Sequence, residues 1–263
     1  MTPGQRQMDA IMLNTPVLTE NQLQSFTDDG FLIARGAFDA ATMNTISDWA
    51  GEMLSRPEKP GTHWVYHEKS LKGDDADLVS RIENIAPFHE GFAELTEVLR
   101  APVGQLMGEE ATLFKEKINF KMPGGDGFKP HQDSQAGWDV YTDFFISVLV
   151  CIDPATIENG CLELCAGHHQ RGLFKSWEPL SETDMAGMEF KPAPTEPGDI
   201  VFFDNYAPHQ SQPNLSNDVR RIYYATYNRL SEGQHMAQYY ADKHKNYPPD
   251  IDRAPDREYV FRV

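Results

Sequence analysis

The sequence predicts a mainly β fold, a β-sandwich or jelly roll buttressed by helices. Two observations carry this. To about residue 108, apolar residues fall at helical spacing; from about residue 112 they fall in short alternating or continuous runs. Gly, Pro and Asn turns separate those later runs, as they do packed antiparallel strands. At 263 residues the chain is long enough for one large domain with a full core. The front helices are too short and too amphipathic to form a core of their own. A single domain is therefore expected over 1–263: a helical part over about 1–110, a β core over about 111–230 and a last helix within about 231–247.

Taken in order, Thr19-Glu-Asn-Gln22 reads as a capping box, Leu23 and Phe26 give the helix that follows an apolar side, and Gly30 stops it. Residues 31–33 read as a short strand. Asp39 caps a second helix with Met43, Ile46, Ala50, Met53 and Leu54 at helical spacing, broken by Pro57, Pro60 and Gly61. The remainder of the front reads as mostly helix and loop, with one strand near residues 64–66. Residues 112–122 alternate: Lys115, Lys117, Asn119 and Lys121 share one face, and Phe114, Ile118 and Phe120 share the other, with Glu116 the exception. Pro123-Gly-Gly-Asp-Gly127 is a loop, 144–152 a β-rich run, Glu158-Asn-Gly160 a turn and 161–165 a short strand. Pro197-Gly-Asp199 turns into an apolar strand at 200–203, and 220–228 is a long strand rich in Tyr and Ile. Ser231 is placed to cap a last helix through about residue 244, ended by Pro248 and Pro249.

The formal net charge of −17 argues against nucleic acid or an anionic membrane as partner and predicts a soluble, self-repelling protein. No apolar run approaches the roughly 18 residues that span a bilayer. Residues 1–13 lack the basic-then-apolar layout of a secretory leader. Cys151, Cys161 and Cys165 are an odd, sparse set, not a disulfide framework, so a reducing cytoplasm is expected. Cys161 and Cys165 also lack the second pair a structural zinc site needs, and all three read as buried small apolar residues.

The chemistry centres on His131-Gln132-Asp133. Side chains two apart on a strand share a face, so His131 and Asp133 converge while Gln132 points away. His209, past the strand at 200–203, supplies a second imidazole. Two imidazoles and a carboxylate on one side of a metal leave positions open, the facial arrangement of non-haem Fe(II) oxygenases. Zinc at the same three residues, serving a hydrolase, is the alternative. Arg220, eleven residues past His209, favours iron: an oxygenase using 2-oxoglutarate must anchor a dicarboxylate, and a guanidinium fork meets a carboxylate in two parallel hydrogen bonds. Arg221 competes for this role, and the strand's alternation does not decide between them. Ser211 is placed to add a hydroxyl to the same carboxylate.

With these residues in place, the chain resembles the phytanoyl-CoA dioxygenase family of Fe(II)/2-oxoglutarate oxygenases. The matching segments are His-Gln-Asp at 131–133, Glu158-Asn-Gly-Cys-Leu162 running to Gly167-His168, Gly198-Asp-Ile-Val-Phe-Phe203 leading to His209, and Asn214 with Arg220. The resemblance implies a double-stranded β-helix, a cupin-like jelly roll. It also implies iron on His131, Asp133 and His209, with 2-oxoglutarate on Arg220 rather than Arg221 and O2 as oxidant. Phe114-Lys-Glu-Lys-Ile-Asn-Phe-Lys-Met-Pro-Gly-Gly and the tail around Tyr239-Tyr and Tyr247-Pro-Pro-Asp250 are similar to the small bacterial members acting on 2-aminoethylphosphonate. That implies hydroxylation at the carbon bearing phosphorus, to 2-amino-1-hydroxyethylphosphonate; an osmolyte or acyl-CoA is the alternative substrate. Similarity to ectoine-hydroxylating relatives makes Asn119 a co-substrate contact.

A phosphonate needs cations, and the strand before the metal loop carries them. Lys117 is assigned with Arg220, Asn119 and Ser211 to 2-oxoglutarate, and Lys115 and Lys121 to substrate; a solvated strand face is the bland reading of all three lysines. Trp138 and Tyr141 are candidate walls of the substrate pocket. His168 and His169 read as structural, and His63, His67, His89, His235 and His244 have no partner pattern. The substrate is expected to be a small molecule, with no protein partner evident.

Overall fold

A computed structural model describes residues 11–15 and 17–260. Most of the stretch weighed above as a secretory leader lies outside them. In chain order the elements are α1 (Glu20–Asp29), β1 (Phe31–Ala34), α2 (Ala40–Ser55), β2 (Trp64–Lys69), β3 (Asp77–Glu83), α3 (Glu90–Met107), β4 (Ala111–Lys121) and β5 (Phe128–His131). They continue with β6 (Phe145–Cys151), β7 (Leu162–Leu164), β8 (Lys191–Ala193), β9 (Ile200–Asp204), β10 (His209–Ser211), β11 (Arg220–Arg229) and α4 (Met236–Asn246). The strands form a seven-stranded sheet in the order β1-β9-β6-β11-β4-β3-β2 and a four-stranded sheet in the order β5-β10-β7-β8. Every pairing is antiparallel. The architecture is a double-stranded β-helix with helices laid on the outside of the larger sheet.

Alternation along the central strands explains the layers. Ile118 and Phe120 of β4, Val148 of β6 and Tyr223 of β11 join Ile46 of α2 and Phe92, Leu95 and Leu99 of α3 in one apolar cluster. Phe92 stacks on Tyr223 with ring centroids 5.0 Å apart. On the opposite face, Leu149 and Ile222 of the larger sheet pack against Leu162 and Leu164 of the smaller one. The first cluster belongs to both the front helices and the large sheet, so neither buries its apolar face alone.

Local chemistry sets the helix ends. Thr19 and Gln22 make the reciprocal capping bonds, and Gly30 closes α1 in the left-handed region. Asp39 accepts from the Thr42 backbone N–H at 2.8 Å. Leu54 does not join the buried stripe of α2; it is exposed, and Trp49 takes a place in the core instead. Ser231 caps nothing: it lies in a short 3-10 turn (Leu230–Glu232), and α4 begins at Met236. The front of the chain is less helical than its pattern implies. It supplies β1, β2 and β3, three strands of the large sheet. A shift of register in β2 between Tyr66 and His67 hides the pairing from simple alternation, and β3 carries Arg81 and Glu83 where an apolar face would be sought.

All three cysteines are free and buried. Burial raises each thiol above its ordinary range, Cys151 to about 11. Among the described residues no helix is long and apolar enough to cross a membrane.

Glu116, the exception in β4, faces the helices. Its Oε1 accepts from the backbone N–H groups of Ile85 (2.6 Å) and Ala86 (3.0 Å). Burial outweighs those two bonds and pushes the carboxyl from 4.5 up to about 8, so it holds a proton at neutral pH. A folded-state value above the unfolded one contributes stability that is full below about 4.5 and is lost as pH rises through about 8. Glu116→Gln keeps the accepting oxygen and removes the titration. Denaturant unfolding at a series of pH values is expected to show a shallower loss of stability in this variant between about pH 5 and pH 8.5 than in the parent.

Candidate metal centre and its two cavities

One strand pairing places the two histidines. β5 and β10 run antiparallel with His131 opposite His209, and the ring centroids lie 4.2 Å apart. His131 Nδ1 donates to the Lys129 carbonyl at 2.7 Å, and His209 Nδ1 donates to the Ala207 carbonyl at 3.0 Å. Each ring thereby turns its Nε2 lone pair inward. The third group arrives differently from the sequence expectation. β5 ends at His131, and Asp133 opens a short 3-10 helix (Asp133–Ala136), so a turn and not a shared strand face brings the carboxylate round.

Gln132 holds that turn. Its side-chain amide donates to the carbonyls of Gly172 (2.8 Å) and Tyr206 (2.7 Å) and accepts from the Phe174 backbone N–H (2.9 Å). Asp133 is held from the other side: Ser147 Oγ donates to Oδ2 at 2.7 Å and itself lies 3.0 Å from Thr226 Oγ1. That leaves Oδ1 facing the imidazoles, 4.0 Å from His131 Nε2 and 3.9 Å from His209 Nε2. Two metal–ligand bonds of about 2.0–2.2 Å span such a gap. His131, Asp133 and His209 are the group of potential ligands found among the described residues. Their protonation suits the role. Burial and the neighbouring imidazole push His131 down to about 3, and burial lowers His209 as well. Burial alone would raise Asp133, but His209 and Lys115 hold it below its ordinary value. Two neutral imidazoles and a carboxylate fit a divalent ion.

Two cavities meet at this centre. One, of about 510 Å³, is lined by Asn119, Lys121, Phe128, His131 and Arg220 among others. Arg220 is 1% exposed, and its Nε and Nη1 have no hydrogen-bond partner. A buried guanidinium so placed is costly without an anion. Arg221, on the other face of β11, is satisfied by a two-pronged contact to Asp153, with both N–O distances 2.7 Å. Geometry thus separates the two arginines that alternation left open. Lys121 lies on the Arg220 side. Its ammonium donates to Ser211 Oγ (2.8 Å) and to the carbonyls of Gln212 (2.6 Å) and Gly160 (3.3 Å), and burial followed by Arg220 lowers it to about 6. The Ser211 hydroxyl therefore accepts from Lys121. Gly160 has to be glycine: its φ is +71°, and a Cβ would stand 2.0 Å from the Gln212 carbonyl oxygen.

The other cavity, of about 650 Å³, is lined by Arg81, Glu83, Lys115, Lys117, Trp138 and Lys243 among others. Glu83, 1% exposed, takes Arg81 Nε at 2.9 Å on one oxygen and Lys243 Nζ at 2.5 Å on the other. Burial would raise its carboxyl, but Lys243 and Arg81 hold it well below the usual range. Lys115 Nζ sits 4.0 Å from the Trp138 ring centre. Burial lowers Lys115, and burial together with Lys115 lowers Lys117 further. Tyr141 also lines this cavity and donates to Asp242 at 2.8 Å.

The structure thus gathers all the candidate residues around one centre but divides the lysines differently. Lys117 stands with Lys115 in the larger cavity, and Lys121 stands with Arg220 and Ser211. The solvated-face reading of the three does not hold, since all of them face cavities. Asn119 borders both cavities and its Oδ1 lacks a partner. Arg81, Glu83 and Lys243 were missed. Arg81 and Glu83 sit two apart on a strand, and Lys243 is one helical turn past Tyr239, so both spacings were visible once the strand and helix were placed.

Comparison with known proteins agrees with this geometry. The family model described as phytanoyl-CoA dioxygenase (PhyH) matches residues 26–222. A 2-aminoethylphosphonate dioxygenase from uncultured bacterium HF130_AEPn_1 is 37% identical over 92% of this chain and 93% of its own length. A methylphosphonate hydroxylase from Gimesia maris is 36% identical over 89% of this chain and 90% of its own. Among solved structures, EctD from S. alaskensis with 2-oxoglutarate and 5-hydroxyectoine superposes with a TM-score of 0.71 at 20% identity, over 88% of this chain and 87% of that one.

The Ser147 contact gives a test of the centre. Ser147→Ala leaves Oδ2 of Asp133 without its donor, and outer-sphere losses of this kind cost about 10–100-fold in metal affinity. Titration with a divalent ion is expected to show that loss.

Proposed function

The chain belongs to the phytanoyl-CoA dioxygenase family, and on that premise we propose an Fe(II)- and 2-oxoglutarate-dependent hydroxylase of small phosphonates, best matched to 2-aminoethylphosphonate. The observation that carries the substrate class is a pair of lysines, Lys115 and Lys117, that line the larger cavity with no ion pair to a carboxylate among the described residues, while Arg81 and Lys243 are taken up by Glu83. Arg81, Lys115, Lys117 and Lys243 line it against Glu83, Asp133 and Asp242 and, at its outer part, Glu258, in a chain of net charge −17. Arg81 lies on β3, Lys115 and Lys117 on β4 and Lys243 on α4, and both lysines of β4 feel the charges of Glu83 and Asp133. A phosphonate dianion is the ligand such a wall stabilises most. The names of both similar relatives support the same class.

In this reading His131, Asp133 and His209 hold the iron on one side and leave the other side open toward both cavities. Bound there, iron with 2-oxoglutarate and O2 supplies the hydroxylating chemistry, C–H becoming C–OH while 2-oxoglutarate becomes succinate and CO2. Arg220 receives the far carboxylate of 2-oxoglutarate in its unpaired fork. Lys121 fixes the Ser211 hydroxyl beside that end, and Asn119 offers an amide between the two cavities. A zinc hydrolase would have no use for a buried, unsatisfied arginine beside the metal. Lys115 and Lys117 orient the phosphonate so that the carbon bearing phosphorus faces the iron, giving 2-amino-1-hydroxyethylphosphonate. Trp138 and Tyr141 wall the carbon chain. Three unpaired cysteines support a reducing cytoplasm as the working compartment.

Two variants should separate the cavities. Loss of a charge-assisted contact costs about 1.5–3 kcal/mol, roughly ten- to a hundredfold. Arg220→Ala is expected to raise the 2-oxoglutarate requirement by that factor with little effect on the phosphonate KM, and Lys117→Ala to do the reverse. The substrate class itself is tested by O2 consumption coupled to 2-oxoglutarate across 2-aminoethylphosphonate, its N-methylated forms, an ectoine-like osmolyte and an acyl-CoA. No stimulation by any phosphonate would remove the phosphonate reading. Asp133→Ala is expected to abolish turnover altogether, and normal 2-oxoglutarate decarboxylation by that variant would sink the metal assignment.

A further inference from the structure

Trp177 stands apart in this chain. Its φ is +70°, a left-handed conformation that bulky residues rarely adopt, and among the described residues the other non-glycine ones sharing that region are Asp75 and Asn84, types that tolerate it. It is also 47% exposed, whereas Trp49, Trp64 and Trp138 are 8%, 7% and 3% exposed. A tryptophan that is half exposed and sits on a left-handed backbone calls for a reason beyond filling the core.

Its surroundings supply one. The Trp177 backbone N–H donates to the Gln135 carbonyl at 2.6 Å, and Gln135 Nε2 donates to the next carbonyl, that of Glu178, at 2.6 Å. Gln135 lies in the 3-10 helix that begins with Asp133. Three residues on, Leu180 N–H donates to the carbonyl of Pro130, next to His131. The loop is thus fastened to the segments on both sides of the His131–Asp133 turn. The indole lies against Gly137, where a Cβ would stand 2.2 Å from ring atoms Cη2 and Cζ2. From that seat Trp177 borders both cavities, as do Asn119, Phe128 and His131.

We propose that Trp177 is a fixed roof over the junction of the two cavities, whose indole shuts out water once 2-oxoglutarate and substrate lie beneath it and so ties 2-oxoglutarate consumption to substrate hydroxylation. The strained backbone is what aims the ring, and Gly137 makes room for it. This rests on the hydroxylase reading above, and it adds a residue that governs coupling without holding the metal or pairing by charge with either ligand.

Because the other three tryptophans are buried, acrylamide quenching of tryptophan emission reports chiefly on Trp177. With Mn(II) in the centre and O2 excluded, addition of 2-oxoglutarate and 2-aminoethylphosphonate is expected to lower the quenching constant at least about twofold, since pocket ligands cover most of what they touch. Trp177→Phe removes the responsive signal. Trp177→Gly suits the φ, so it is expected to fold, yet under turnover it should form at least about threefold less hydroxylated product per 2-oxoglutarate consumed, water having entered. Unchanged quenching when a rise in melting temperature shows both ligands bound would overturn the proposal, as would an unchanged product ratio in a folded Trp177→Gly. If the parent shows neither a thermal shift with 2-oxoglutarate nor its consumption, the hydroxylase reading fails first and takes the roof with it. Should Trp177→Gly not fold, the quenching experiment on the parent and Trp177→Phe still decides.

Discussion

One antiparallel register, His131 against His209, sets the geometry of everything around it. The small sheet has only short strands, and this pair is held by β7 on the far side of β10. With the rings side by side and each Nδ1 committed to a backbone carbonyl, the only donor still to be placed is a carboxylate. Gln132 and Ser147 place it, one by tying the turn to two other segments and one by occupying the oxygen that faces away. The coordination set is therefore assembled by protein hydrogen bonds.

The electrostatics follow the same division of faces. The strand that buries Ile118 and Phe120 against the helices presents Lys115, Lys117, Asn119 and Lys121 to the centre. Placed on a solvated face these lysines would do little; enclosed, each is destabilised in its charged form, and Lys115 and Lys117 await an anion. An acidic chain gathers cations around one metal centre, with Arg220 and Lys121 in one cavity and Lys115 and Lys117 in the other. Asn119, whose free oxygen borders both cavities, lies at the seam between them.

Much of this was legible in residues alone, and the failures have identifiable causes. The capping box at Thr19, the switch of periodicity near residue 112 and the lysine face of β4 are local patterns, and local patterns survive folding. The convergence of His131 and Asp133 was read correctly for the wrong reason, since a 3-10 turn brings them together where a continuous strand had been assumed. β3 escaped notice because its inward face carries Arg81 and Glu83, and a strand whose buried side is charged breaks the apolar alternation by which strands are recognised. Trp177 was beyond reach of pattern, because what matters about it is which distant segment it faces. The choice between Arg220 and Arg221 turned on a partner, Asp153, that lies 68 residues earlier in the chain.

The cysteines carry a consequence of a different kind. A protein that activates oxygen risks corroding its own interior, and sulfur is the first casualty when it is present as thiolate. Cys151 lies in the wall between the sheets, within the same barrel as the iron ligands, yet burial keeps its sulfur protonated to about pH 11. The thiols thus serve as inert filling, and the barrel around the oxidising centre is armoured by the same exclusion of water that gives it a core.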